Sequence, residues 1–76
     1  MPSIIWTDYF RYRAKLRQFE LAKNEEILRY SGKRYYDTVT NRLIAVGKHN
    51  NSLVMIPYES TEEFITPVTV HVTTRQ

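Results

Sequence analysis

With 76 residues there is room for one domain and one core, and a chain this size buries only about 60% of the surface its unfolded form exposes. A composition of 42% hydrophobic and 25% charged residues is that of a globular protein and excludes a disordered tail; the lack of cysteine excludes a disulfide framework or thiolate metal site, and no apolar run is long enough to cross a bilayer. The net charge is only +3, but the stretch from Arg11 to Arg34 holds eight basic and three acidic residues, a concentration of positive potential suited to phosphates or an acidic protein segment.

The opening segment, Met1 to Trp6, lacks the basic start of a signal peptide, so the expected product is a soluble cytoplasmic domain. Ser3 to Trp6 reads as a short strand. Thr7 then offers an N-cap hydroxyl and Asp8 a first-turn carboxylate, which predicts a helix from Asp8 to Gln18. On it Tyr9, Tyr12, Leu16 and Phe19 follow a spacing of three, four and three, predicting the core stripe. Arg13 and Arg17, four apart at its border, are placed to grip a phosphate together; the plainer reading is a pair of arginines with buried stems and wet heads.

A second helix is predicted from Leu21 to Tyr30, with Leu21, Asn24, Ile27 and Leu28 inward and Ser31-Gly32 stopping it through a left-handed glycine. Beyond Lys33 the residues turn to Tyr, Thr, Val and Ile with frequent turn signals. Strands are expected at Arg34–Thr38, Arg42–Lys48, Leu53–Tyr58 and Phe64–Thr73. If Asn50-Asn51 is a two-residue hairpin loop, then His49 opposes Ser52, Gly47 opposes Val54, Ala45 opposes Ile56 and Leu43 opposes Tyr58.

The face carrying Ala45, Gly47, Val54 and Ile56 is small enough for both helices to pack on it. The opposite face then shows Ile44, Val46, Leu53 and Met55 beside Lys48. On the last strand Val68, Val70 and Val72 should enter the core, while Thr69, His71, Thr73 and Arg75 face the same way as Lys48. Pro67 cannot complete a ladder, which marks that strand as an edge. His49, beside the hairpin turn, reads as an exposed residue without a role, and the acidic Glu59, Glu62 and Glu63 as a solvated loop.

The order of elements, a short strand, two helices packed on one face and a four-stranded antiparallel meander, is an α+β arrangement that resembles the small RelE/ParE toxins, especially the BrnT-like branch and related uncharacterised domains. Members often read His-x3-Arg-x3-Arg-Gly-Ile on the first helix. Here Tyr9, Arg13 and Arg17 keep that spacing, with Tyr9 in the place of the histidine and Gln18-Phe19 in the place of Gly-Ile. Glu25-Glu26-Ile27-Leu28 looks like the acidic second helix, and Arg75 sits where a final basic residue is expected.

The resemblance implies the toxin of a toxin–antitoxin pair, an endoribonuclease that cleaves messenger RNA and is silenced by an antitoxin protein. Such chemistry asks for a group to take the ribose 2′-hydroxyl proton and cations for the pentacovalent phosphate, and for no metal or other cofactor. His71, Arg75 and Lys48 are the expected catalytic group. Arg13 and Arg17 are expected at the RNA backbone, and exposed tyrosines, Tyr35, Tyr36 or Tyr58, stacked on unpaired bases. A non-catalytic interaction module or nucleic-acid binder using the same face, with the chain pairing as a homodimer through the sheet edge or the open face, is the alternative.

Overall fold

A computed structural model describes residues 2–49 and 51–73. The elements are β1 (Ser3–Ile4), α1 (Asp8–Leu16), α2 (Leu21–Tyr30), β2 (Lys33–Asp37), β3 (Arg42–His49), β4 (Ser52–Ser60), β5 (Phe64–Pro67) and β6 (His71–Thr73). The sheet runs β1-β5-β4-β3-β2, with β6 also paired to β4. The fold is α+β as expected, but the sheet is mixed and six-stranded, because β1 joins it parallel to β5 and the expected last strand is divided in two.

That division has a simple geometric form. β5 pairs with Tyr58–Ser60 and β6 with Leu53–Met55, both antiparallel to β4. Counting along the registers, the outer chain spends one residue more than β4 between the two stretches, as a bulge does. Val68 still donates to the Pro57 carbonyl at 2.8 Å before the chain departs. One extra residue reverses the alternation. Ile65 and Pro67 are buried before the bulge and Val70 after it, while Val72 is 41% exposed instead of joining the core as the simple alternation predicts.

The β3–β4 register is the predicted one, from Leu43 opposite Tyr58 to His49 opposite Ser52, and Asn51 takes the left-handed φ of 68° that such a turn needs. β2 and β3 are joined through a turn closed by Asn41 N–H to the Asp37 carbonyl, with Asn41 at φ 59°. Asp37 orders that turn by accepting from the Val39 N–H and the Thr40 hydroxyl.

Thr7 caps α1 as its hydroxyl predicts, accepting from the Phe10 N–H at 3.1 Å. The helix stops at Leu16, earlier than Gln18. There the Phe19 N–H reaches the Ala14 carbonyl and the Gln18 N–H that of Lys15, with Gln18 itself at φ 58°. These two bonds form a Schellman closure around a glutamine, and glycine, the usual sign of it, is absent. The buried face of α1 is Phe10 and Ala14, whereas Tyr9, Tyr12 and Leu16 are each more than half exposed. Phe10 meets Trp6 at 5.3 Å, and a nine-residue helix has room for only one narrow buried ridge.

α2 occupies its predicted span with Asn24, Ile27 and Leu28 buried. Its end differs from expectation: Ser31 turns to an extended φ of −64° and ψ of 134°, and Gly32 has no positive φ. The Ser31 hydroxyl instead donates to the Val46 carbonyl and accepts from the Lys33 N–H, tying the helix end to β3. Gly47 has the close-packing role. A β-carbon there would stand 2.7 Å from Ile27 Cγ1, so α2 sits on β3 only because that position has none.

Both helices lie on one side of the sheet. Phe10, Ala14, Ile27 and Leu28 share a cluster with Ala45, Val54, Ile56, Tyr58, Ile65 and Val70. His49, expected to be exposed, is buried: it packs on Phe19 at 4.8 Å, and its Nε2 accepts from the Glu20 N–H at 3.2 Å, holding the α1–α2 corner against β3. Tyr58 is buried too, its hydroxyl accepting from Arg34 Nη1 at 2.9 Å. Glu59 belongs to β4, where Arg42 Nε donates to it at 3.3 Å. Among the described residues no helix is long and apolar enough to cross a membrane.

Candidate functional site

The face away from the helices carries alternate residues of the same strands. Register puts Ile44, Val46 and Lys48 of β3 there, with Leu53, Met55 and Pro57 of β4 and His71 and Thr73 of β6. Leu53, Met55, Ile44 and Pro57 are half-buried, and Val46, although buried, stands outside the core cluster. This is a shallow apolar floor without a helix on it, bounded on one side by His71.

His71 is the polar centre of that border. It pairs with Met55 in register and is exposed. Its imidazole is held below the usual histidine value, first by partial burial and then by the charges of Arg13 and Arg17. Both guanidinium groups of the pair four apart on α1 thus act on His71 electrostatically and disfavour a third positive charge. Tyr9, one turn before Arg13 on the same ridge, is exposed beside them.

Arg13 Nε and the Thr69 hydroxyl are buried without a hydrogen-bond partner, as are both side-chain atoms of Asn24 on α2. A buried donor left unbonded costs about 1–3 kcal/mol, so such atoms are rare in places that serve packing alone. Thr69 lies in the bulge that separates β5 from β6. The bulge thus sets the direction of His71 and leaves a hydroxyl two residues before it.

The other expected site residues are distributed differently. Lys48 shares the open face, but it pairs with Leu53, which pairs with Thr73, so its backbone is two strands from β6, roughly 10 Å away. It also borders a groove beside α2, with Glu26, Tyr30 and Ser31. Arg75 lies outside the described residues. Tyr35 and Tyr36 are both exposed but point to opposite faces, because they are neighbours in one strand; only Tyr35 shares the face of His71. Tyr58 is buried and cannot stack on a base.

Two residues of this region escape a reading of the sequence: Tyr9, which its helical spacing assigns to the core, and Thr69, which has no signal beyond its place in an alternating strand. The signal that finds Tyr9 is the ridge it forms with Arg13 and Arg17. On that ridge Tyr9 and Arg17 are exposed and Arg13 is half-buried, an aromatic ring and two cations in line. The arrangement can hold a phosphate next to a neutral imidazole, with a ring nearby to stack on a base.

No family model matches the chain, and neither a curated protein nor a solved structure shows significant similarity to it.

Proposed function

We propose that the chain binds single-stranded RNA along the seam between α1 and β6 and cleaves it, His71 serving as the base and Arg13 and Arg17 as the phosphate-binding cations. The observation that supports this reading is the charge of both arginines acting on an exposed histidine, whose neutral form partial burial and that charge favour. A neutral imidazole accepts a proton at physiological pH, and fixed guanidinium groups stabilise charge on a phosphate.

In this reading His71 takes the proton of a ribose 2′-hydroxyl. The freed oxygen attacks the adjacent phosphorus, the bond from phosphorus to the 5′-oxygen breaks, and that oxygen takes a proton from water or from the imidazolium. The products are a 2′,3′-cyclic phosphate and a 5′-hydroxyl. Tyr9 on α1 and Tyr35 on the open face offer stacking surfaces for flanking bases. A toxin role with an antitoxin protein as partner, which the resemblance implies, belongs to this reading, with the basic ridge of α1 as the surface an acidic segment would cover.

The second reading, a binding module without catalysis, is favoured by the apolar floor of Ile44, Leu53, Met55 and Pro57, which extends well past His71. One experiment separates the two. The protein is incubated with a defined single-stranded RNA in the presence of a chelator, and the fragments are analysed for cyclic phosphate ends. Cleavage that disappears when the ribose at the cut is 2′-deoxy, and that falls by about 10²–10⁴ in His71→Ala, supports the nuclease. Intact RNA that is nevertheless retained by the protein and released by Arg13→Gln with Arg17→Gln supports binding alone; no retention sinks both.

A further inference from the structure

β2 is the longest unpaired edge of the sheet. It runs five residues, carries no proline, and from Lys33 to Tyr36 every residue is exposed. Natural proteins blunt such edges with proline, bulges, covering loops or unmatched charge, because an open ladder of N–H and C=O groups recruits another strand. The only charge on this edge that could protect it is one that the strand itself can neutralise.

The direction of its backbone groups follows from the hydrogen bonds around it. The Lys33 N–H is taken by the Ser31 hydroxyl, which also donates to the Val46 carbonyl, and the Asp37 carbonyl accepts from Asn41 in the turn towards β3. Lys33, Tyr35 and Asp37 therefore turn their amides inward, and Arg34 and Tyr36 turn theirs to the free edge. A partner strand must bond to Arg34 and Tyr36.

We infer that β2 pairs antiparallel with β2 of a second copy of this chain, about a two-fold axis at Tyr35, to give one continuous sheet. The strand reads Lys-Arg-Tyr-Tyr-Asp, and reversing it about its centre is what makes it self-complementary. Lys33 meets Asp37 of the other copy at both ends, and Tyr35 meets Tyr35 in the close, non-hydrogen-bonded position. Arg34 meets Tyr36 on the other face, and each of these two pairs exchanges both backbone bonds. Arg34 already lies over the Tyr58 ring at 5.7 Å, so its second face is presented to the incoming Tyr36 ring. Neighbouring in-phase registers pair only part of the strand and lose the Lys33–Asp37 contacts.

A single edge strand buries less than the roughly 1,200 Å² typical of stable complexes, so the expected dimer is weak, with a dissociation constant on the order of 0.1 mM. The dimer leaves His71 and the arginines open, since β2 and β6 are on opposite sides of β4, and Tyr35 is the one residue that both readings use.

Sedimentation velocity over a series of concentrations from about 10 µM to about 1 mM, the range set by that affinity, tests it. The native chain should pass from monomer to dimer. Lys33→Glu and Asp37→Lys each oppose like charges at both ends and should weaken the dimer at least about tenfold, whereas mixing the two variants restores opposite charges at both ends and should restore association. Tyr35→Lys, which touches neither the turn nor the core, should abolish it while leaving the thermal transition in place. A native chain that stays monomeric throughout, a Tyr35→Lys variant that still dimerises, or a mixture no tighter than either variant alone would overturn the inference.

Discussion

Where α2 lies on β3, Ile27 fills the space left by Gly47, the Arg34 guanidinium bonds to the Leu28 carbonyl and the Tyr58 hydroxyl, and the Ser31 hydroxyl closes the helix end. On α1 and around β6, Arg13 Nε and the Thr69 hydroxyl are buried without partners, a bulge redirects the strand, and two arginines act electrostatically on a histidine. The first region ties its ends together with hydrogen bonds; the second sets two cations against a titratable ring. That charge pattern is why the α1 and β6 side, and not the α2–β3 seam, is read as the site. Unbonded buried atoms do not separate the two, for Asn24 is fully buried on α2 with neither side-chain atom bonded.

The contrast can be broken most forcefully at the ridge of α1. Phe10→Ala should cost about 3–5 kcal/mol, a large part of the roughly 4–11 kcal/mol expected for a domain this size, and should move the midpoint of a denaturant titration far down. Tyr9→Ala on the same helix should change stability by less than about 0.5 kcal/mol. If Tyr9 proves as costly as Phe10, the assignment of the exposed ridge is wrong.

At the α2–β3 seam, Gly47→Ala should destabilise by about 1–3 kcal/mol through overpacking, and that penalty should largely vanish in an Ile27→Ala background, where the clashing Cγ1 and Cγ2 are gone. Gly32→Ala, at a site with open space and no left-handed φ, should be neutral or stabilising by up to about 1 kcal/mol. A gain is also expected from Asn24→Leu, which removes an unbonded amide from the core and should raise stability by about 1 kcal/mol. A loss there instead would mean that Asn24 has a hydrogen-bond partner and that the α2 side satisfies what it buries.

Much of the architecture is legible in the order of residues. Asn50-Asn51 and the alternation around it specify the β3–β4 register to the residue, since a two-residue turn leaves one pairing that buries Ala45, Val54 and Ile56 together. The helices are legible in type, and so is the buried face of α2. The buried face of α1 is not, because Tyr9, Tyr12 and Leu16 fit the helical period as well as Phe10 and Ala14 do, and only packing against Trp6 and Val70 decides between them. Nor can composition show the bulge at 68–70, where Val68, Val70 and Val72 look like one alternating strand. Arg13, Arg17 and His71 are legible as separate candidates; their meeting is not, because it depends on α1 lying along β6.

The pH dependence of that meeting has a definite sign. The folded His71 holds its proton less well than an ordinary histidine, whose value is 6.5, so the unfolded chain binds more protons and this residue's contribution favours folding less as pH falls below that value. Arg13→Gln or Arg17→Gln should move the His71 midpoint upward and carry the acidic limb of any cleavage profile with it.

The most direct measurement follows the two imidazoles by NMR as pH is varied, with and without a short single-stranded RNA. Phosphate bound at Arg13 and Arg17 offsets the charge that depresses His71, so its midpoint should rise on adding RNA while buried His49, on the far strand, keeps its resonance. An RNA that leaves His71 unmoved, or that moves His49 and the apolar floor instead, would contradict the account.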